Sequence, residues 1–502
     1  MEKSIEEINR KIREGNVRVV TADEMPRIIG ELGEEGALEE VDVVTTGTFG
    51  AMCSSGAFLN FGHADPPIRM ERVWLNDVEA YGGIAAVDAY IGVTQQSETR
   101  GDEYGGAHVM EDLVSGAGVE LHAISRGTDC YPRRSITTEL KLEDLNQAVM
   151  VNPRNSYQRY NAATNSTDRT LFTYMGTLLP NYGNVSFSGA GSLSPLQNDP
   201  KLRTIGSGTP IFLCGARGIV VGEGTQHSPG TGFGTLMVSG DMKQMSRDFL
   251  RAATMQHYGV TLYVGLGVAI PLLDLDMVRS TGVRDEDIGV DILDYGVPRR
   301  SRPTVKKVTY AELKSGRVEL MGEEVKTSSL SSYRFARRVA TTLREWIERG
   351  KFELSLPTQR LNSTKVAMPM KETEPMPTVK EIMSRMVHAI TEDESIKTAA
   401  RKLLRGDTNH LVVLDHAGRL VGIVTTYDIS KSVVQEGRGG LVKDIMTRQV
   451  IRTTMDEHLD IAAQKLERYN ISALPVVDRD SRVVGMLTAI DLGKLLERRW
   501  KR

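Results

Sequence analysis

Gly422-Ile-Val-Thr-Thr-Tyr-Asp428 returns as Gly485-Met-Leu-Thr-Ala-Ile-Asp491, and Val379-Lys-Glu-Ile-Met383 returns as Val442-Lys-Asp-Ile-Met446. Both pairs stand 63 residues apart, so one supersecondary unit is present twice in tandem. Each copy reads helix, strand, strand, helix, as in Ser395–Leu404, His410–Asp415, Leu420–Thr425 and Asp428–Val434. A strand ends on Thr425 or Thr488, and Asp428 or Asp491 follows three residues later. The threonine hydroxyl is placed to cap the next helix or to meet a phosphate or other polar ligand group. The carboxylate is placed to take two hydrogen bonds from a ribose diol. The plainer alternative is that both residues serve only as helix caps.

This doubled signature resembles a pair of CBS domains, over residues 379–435 and 442–499. The resemblance implies docking as a pseudo-dimer, an adenosyl ligand in the cleft between the copies, and a homodimer formed through these domains. A polyphosphate site needs clustered cations, and only Lys431 stands close behind the first signature. The expected ligand is therefore S-adenosylmethionine or methylthioadenosine.

Upstream of the repeat lie roughly 370 residues in which any chemistry has to be sought. A chain of 502 residues exceeds what one hydrophobic core supports. Its 40% hydrophobic and 25% charged content is that of an ordinary globular protein. A net charge of −3 and a pI near 6.4 give no bulk attraction to nucleic acid or anionic membrane, so neither is an expected partner. Met1-Glu-Lys-Ser-Ile-Glu-Glu7 is too acidic to open a signal peptide. The longest apolar run, Val260–Leu273, is broken by Gly265, Gly267 and Pro271 and too short to span a bilayer. A cytoplasmic protein is expected.

Of 48 glycines, 37 precede residue 300, which marks the front region as rich in tight turns and binding loops. Short apolar runs (Val41–Thr45, Val119–Ile124, Ile211–Leu213, Ile219–Val221, Thr261–Val264) alternate with helical patterns (Glu6–Glu14, Val109–Val114, Arg247–Tyr258). That alternation predicts an α/β or α+β catalytic region over residues 1–360. Val305–Leu313 and Arg317–Lys326 read as strands, and Ser331–Arg349 as a helix with Phe335, Val339, Leu343, Trp346 and Ile347 on one face. Four prolines between 357 and 377 predict a semi-stiff linker, with 361–378 as its span.

Three cysteines, Cys53, Cys130 and Cys214, are too few and too scattered for a zinc ribbon or an iron–sulfur cluster. No HExxH joins the nine histidines, so no metal and no tightly bound cofactor is expected. Cys130 follows a strand-like run in His122-Ala-Ile-Ser-Arg-Gly-Thr-Asp-Cys-Tyr-Pro-Arg133-Arg134. Guanidinium charge beside a thiol favours the thiolate, the form that attacks sulfur or carbonyl carbon. Arg133 or Arg134 also suits a substrate carboxylate. Cys53 lies in the small-residue loop Thr45–Gly56, where free backbone N–H groups cradle anions and a thiol can resolve an oxidised partner. Cys214 ends the apolar run Ile211-Phe-Leu and reads as core. Two Gly-rich loops, Ser186–Ser192 and Gly222–Gly234, match no phosphate fingerprint, although His227 in the second suits proton transfer near neutral pH.

Thr45–Gly56, Gly127–Arg134, Ser186–Pro195 and Gly222–Gly234, followed by the paired tail, make the chain resemble the L-aspartate semialdehyde sulfurtransferases of homocysteine biosynthesis in methanogenic archaea. The resemblance implies that L-homocysteine is made from L-aspartate semialdehyde and a sulfur donor through a cysteine persulfide. It places the persulfide on Cys130, with Cys53 as the second functional thiol. Making a thiol from an aldehyde–sulfur adduct needs electrons, and the implied source is a ferredoxin-like iron–sulfur partner carrying a NIL domain. Arg133 or Arg134 is expected at the substrate carboxylate, and His122 or His227 at its protons. Two rival readings are an IMP-dehydrogenase-like nucleotide enzyme and a non-catalytic adenosyl sensor.

Overall fold

The apolar run broken by Gly265, Gly267 and Pro271 folds as one strand, Gly259–Pro271, and the first part of the molecule is built around it. In the computed structural model, which describes residues 2–298, 300–370, 377–435, 440–478 and 480–500, the chain forms two units, Met1–Met368 and Pro369–Arg502. The middle of the expected linker, residues 371–376, lies outside the described residues.

In the first unit, Gly259–Pro271 pairs antiparallel with Leu250–Met255, Thr48–Ala51, Pro210–Leu213 and Val43–Thr45. These belong to an eleven-stranded sheet that continues through Ala216–Glu223, Leu236–Asp241, Gln147–Asn155, Gly56–Asn60 and Asp88–Gly92. The same unit holds two six-stranded sheets. Parallel pairs, such as Val19–Thr21 with Val43–Thr45, are few among antiparallel ones. The mixed helix–strand region therefore takes its α+β form.

Helix Tyr333–Glu348 lies on the long strand. Ser332 caps it by accepting from Phe335 N–H, and Ala336, Val339, Ala340, Leu343 and Ile347 are its buried face. The strand glycines permit this approach: a Cβ on Gly267 would stand 2.9 Å from both Thr46 O and Val339 Cγ1. Gly47 is tighter still, with a Cβ there falling 2.1 Å from Ala336 O.

The expected helix over Arg247–Tyr258 is instead one 3₁₀ turn, Arg247–Phe249, followed by a strand. Six ladder pairs with Gly259–Val264 outweigh local helix propensity, and His257 and Gly259 turn the chain back at positive φ. Val305–Leu313 is also divided. Its strand ends at Thr309, which forms a capping box with Glu312 and opens helix Tyr310–Lys314. Arg317–Lys326 is a hairpin, because Met321 and Gly322 both take positive φ.

The N-terminal helix Ile5–Glu14 is held by a buried ion cluster. The Lys3 ammonium donates to Asp42 Oδ1 at 2.8 Å and Lys11 donates to the same oxygen at 2.7 Å. The Arg18 N–H donates to Asp42 Oδ2 at 3.0 Å.

In the second unit each copy carries a three-stranded sheet, Ala389–Thr391 with His410–Leu414 and Leu420–Thr425, then Thr453–Thr454 with Ala473–Val477 and Val483–Thr488. The leading helices are exchanged. Val379 and Met383 pack with Leu459, Leu466 and Leu474, whereas Val442 and Met446 pack with Leu403, Leu411 and Val424. The duplicated Val-Lys-acid-Ile-Met motif is therefore the joint between the copies. Among the described residues no helix is long and apolar enough to cross a membrane.

Candidate active site

Cys53 sits where strand Thr48–Ala51 hands over to strand Gly56–Asn60. Met52 N–H donates to Leu262 O at 2.7 Å, and Ser55 N–H closes a turn on Met52 O at 3.1 Å. These bonds fix the half-buried thiol 3.2 Å from Thr261 Oγ1. It opens on a cleft of about 470 Å³. Among the described residues the wall carries two cations, Arg154 and Arg159, several tyrosines and small hydroxyls, and no aspartate or glutamate.

Three of the four loops singled out in the sequence converge here. Cys53 comes from Thr45–Gly56, Ser188 from Ser186–Pro195 and Phe233 from Gly222–Gly234. Close backbone packing shapes the wall. A Cβ on Gly50 would meet Ser331 Oγ at 2.8 Å, and one on Gly189 would meet the Tyr160 ring at 2.7 Å. Gly189 also takes φ of +108°, which L side chains rarely adopt.

The phenols are held neutral. Burial pushes Tyr157 up to about 12; Arg154 pulls the other way, and charge on Cys53 adds to the rise. Burial raises Tyr258 as well, with Cys53 again contributing. Burial lifts Tyr160 and Tyr295 above the ordinary phenol range, and Tyr174 OH lies 2.7 Å from Tyr295 OH. At neutral pH Tyr157, Tyr160, Tyr258 and Tyr295 keep their protons as hydrogen-bond donors, and the two guanidiniums give the cleft its charge.

Cys130 stands elsewhere. It is exposed, in the loop joining strands Val119–Ile124 and Ser135–Leu140. That loop rests on residues beyond the far end of Gly56–Asn60. Arg133 N–H donates to Pro67 O at 3.3 Å, its guanidinium donates to Asp65 O at 2.6 Å, and the Tyr131 ring lies 6.1 Å from His63. Cys130 therefore belongs to a loop held on residues 63–67, after strand Gly56–Asn60, whereas Cys53 precedes that strand and lines the cleft.

The residues expected around the substrate are likewise dispersed. Arg133 is committed to backbone carbonyl oxygen, and the exposed Arg134 lies against Gly127 in the same loop. Neither lines the Cys53 cleft. His122 lies within a sheet, its Nδ1 2.9 Å from Thr137 Oγ1 and its ring 5.5 Å from Trp74. His227 is buried; its Nδ1 accepts from Thr235 N–H at 3.0 Å and its Nε2 lies 3.1 Å from Asn362 O. The same Nδ1 lies 2.8 Å from Thr235 O, so backbone groups engage both ring nitrogens and leave none for a substrate. Cys214 is buried at a hairpin turn, and burial pushes its thiol up to about 12.

Sequence reading missed Arg154, Tyr157, Arg159 and Tyr160. The run Arg154-Asn-Ser-Tyr-Gln-Arg-Tyr160 carried the signal, a dense alternation of cations and phenols at a strand end. It held neither glycine nor cysteine, so nothing tied it to the other loops.

In the tail, Asp428 Oδ2 accepts from Thr425 N–H at 2.8 Å and Thr425 Oγ1 at 2.6 Å, and Asp491 treats Thr488 identically at 2.9 and 2.6 Å. Both pairs are reciprocal helix caps in this state. All these bonds fall on one carboxylate oxygen; among the described residues the other, Oδ1, has no partner.

The family described as homocysteine biosynthesis enzymes, sulfur-incorporation, matches residues 17–354, and CBS domains match 379–435 and 442–498. An L-aspartate semialdehyde sulfurtransferase of Methanosarcina acetivorans is 53% identical, with all of both chains covered. Another, of Methanocaldococcus jannaschii, is 52% identical over 98% of each chain. A solved CBS domain pair in complex with 5′-methylthioadenosine and S-adenosyl-L-methionine is 40% identical over 25% of this chain and 99% of its own, at a TM-score of 0.24. Full-length agreement with sulfurtransferases sets aside both the nucleotide-enzyme and the sensor-only readings. The chain belongs to the sulfur-incorporating enzymes of homocysteine biosynthesis, with a CBS pair as its tail.

Proposed function

We propose that this enzyme forms L-homocysteine from L-aspartate semialdehyde, with sulfur carried as a cysteine persulfide. The observation that carries the reading is a thiol, Cys53, facing a cationic cleft lined by neutral hydroxyls. Such a wall suits an anionic aldehyde, because donors are in place for both the carboxylate and the oxygen that gains charge on attack. Counted from aldehyde and sulfide, the reaction takes up two electrons and two protons and releases water. A sulfur handed over from a persulfide requires a further two-electron cleavage of the S–S bond.

Cys130, exposed on its loop, is the entry thiol that takes sulfur from a donor, and Cys53 is the thiol at which the aldehyde is converted. Passage between them requires movement of the Cys130 loop or delivery by another chain. Three dispersed thiols are too few for an iron–sulfur cluster; the electrons are assigned to an iron–sulfur, ferredoxin-like partner, as the family resemblance implies. Peptide mass analysis after treatment with polysulfide, whose zero-valent sulfur passes to a thiolate as the shortened polysulfide leaves, tests the scheme. One added sulfur on Cys130 is the expected result, and a protein that takes up none on either Cys53 or Cys130 contradicts it.

The CBS pair binds S-adenosylmethionine or methylthioadenosine, with Asp428 and Asp491 turning their open oxygens to the ribose. Calorimetry against S-adenosylmethionine, AMP and ATP should find the first bound most tightly. Tight ATP binding without S-adenosylmethionine binding would overturn this assignment.

A further inference from the structure

Arg159 is the one cleft cation clamped from behind. Its guanidinium pairs with Asp291 on strand Gly289–Asp294, a carboxylate that also lies 3.9 Å from the Lys307 ammonium. One carboxylate thus faces two cations, and the pair keeps a positive surplus. The Asp291 side chain is only 16% exposed, whereas that of Arg159 remains 40% exposed and lines the cleft. The Nε of Arg159 is buried and has no hydrogen-bond partner. Nε shares an edge with the Nη2 that meets Asp291, so that edge of the guanidinium is the buried, fixed one.

Arg154 is the second cation. Its Nε donates to Thr225 Oγ1 at 3.0 Å, and no other side-chain bond is recorded for it among the described residues. With Tyr157 neutral and no acid lining the wall among the described residues, Asp291, behind Arg159, is the one carboxylate that answers these guanidiniums there. A carboxylate entering beside Cys53 therefore meets donors whose fork geometry fits it.

We propose that Arg159, positioned by Asp291, anchors the α-carboxylate of the aldehyde substrate in the Cys53 cleft, with Arg154 as the second cation. This rests on the reading that the aldehyde is converted at Cys53, and it replaces Arg133 and Arg134 in the role expected from sequence. Aldehydes without a carboxylate are poor substrates for the same reason. Asp291 is a positioning residue, acting through Arg159.

The test is steady-state kinetics of the full-length enzyme with its electron and sulfur supply, together with alkylation of Cys53. Arg159→Gln should raise KM for L-aspartate semialdehyde on the order of 10²-fold and lower kcat far less, the pattern of lost ground-state binding. Asp291→Asn should raise KM by roughly 5-fold, in the same direction. L-2-Aminobutyrate, which keeps the carboxylate and lacks the aldehyde, should protect Cys53 of the wild type from iodoacetamide and fail to protect Arg159→Gln. Propylamine, which lacks the carboxylate, should protect neither. Equal protection of wild type and Arg159→Gln, or an unchanged KM, overturns the anchor while leaving Cys53 in its role. Alkylation of Cys53 without loss of activity overturns the reading beneath it. Should Arg159→Gln fail to fold, Arg159→Lys decides: an intermediate KM supports the anchor, and a wild-type KM refutes it.

Discussion

Replacing Cys53 with serine lowers homocysteine formation by at least about three orders of magnitude, the scale of losing a reacting group, and leaves the fold intact. The substitution is nearly isosteric, and the hydroxyl can keep the contact with Thr261 Oγ1 that the thiol makes at 3.2 Å. Cys53 is half-buried at a turn fixed by backbone bonds from Met52 and Ser55, so the loss is chemical. A serine hydroxyl carries neither persulfide sulfur nor appreciable anionic character at neutral pH. Turnover of Cys53→Ser with unchanged thermal unfolding is the check. Activity within tenfold of wild type would show that the cleft thiol takes no part.

Asp42→Ala is the largest expected effect on stability. Asp42 and Lys3 are both buried, at 2% and 4% side-chain exposure, and removing one partner strands the other charge. Such losses run to roughly 3–5 kcal/mol. The change should also reach the site, because Asp42 immediately precedes strand Val43–Thr45, which leads into the Cys53 loop. Trp346, packed 5.0 Å from Phe212 in the core that holds Ile8 and Ile12, reports the unfolding. Asp42 also sets a pH dependence. Burial pushes its carboxyl up, but hydrogen bonds from Arg18 N–H, Lys11 and Lys3 outweigh it and hold it below the ordinary aspartate range. A depressed carboxyl binds protons more readily in the unfolded chain, so its stabilisation is full above about pH 4 and falls away as pH drops further. Denaturant midpoints should decline below pH 4 in the wild type and change less in Asp42→Ala.

The tail was legible because its signals are local and doubled. Gly422–Asp428 and Gly485–Asp491 form the strand-to-helix corners their spacing implied. Exchange of the leading helices was not legible, because Val379 and Val442 have equally good apolar partners in either copy. Helix Tyr333–Glu348 was readable from its apolar face, whereas Leu250–Met255 misled because a long-range ladder decides its conformation. The sequence put Cys130 first and Cys53 second; in the structure Cys53 opens on the cleft, which gathers two further Gly-rich loops, while Cys130 is exposed on another loop. Arg154 and Arg159 did not stand out, since their meeting with Cys53 depends on the register of Gln147–Asn155 against Gly56–Asn60. Arg133 and Arg134 adjoin Cys130 in sequence, but Arg133 is tied to the Asp65 backbone and neither reaches the cleft. Sequence proximity stood in for spatial proximity there.

The most direct measurement is alkylation of the native enzyme with iodoacetamide, followed by peptide mapping with and without L-aspartate semialdehyde. The aldehyde should slow labelling of Cys53 and leave Cys130 reacting at its free rate. Protection of Cys130 with none at Cys53 would move the chemistry to the exposed loop and contradict the cleft as the place where aldehyde becomes thiol.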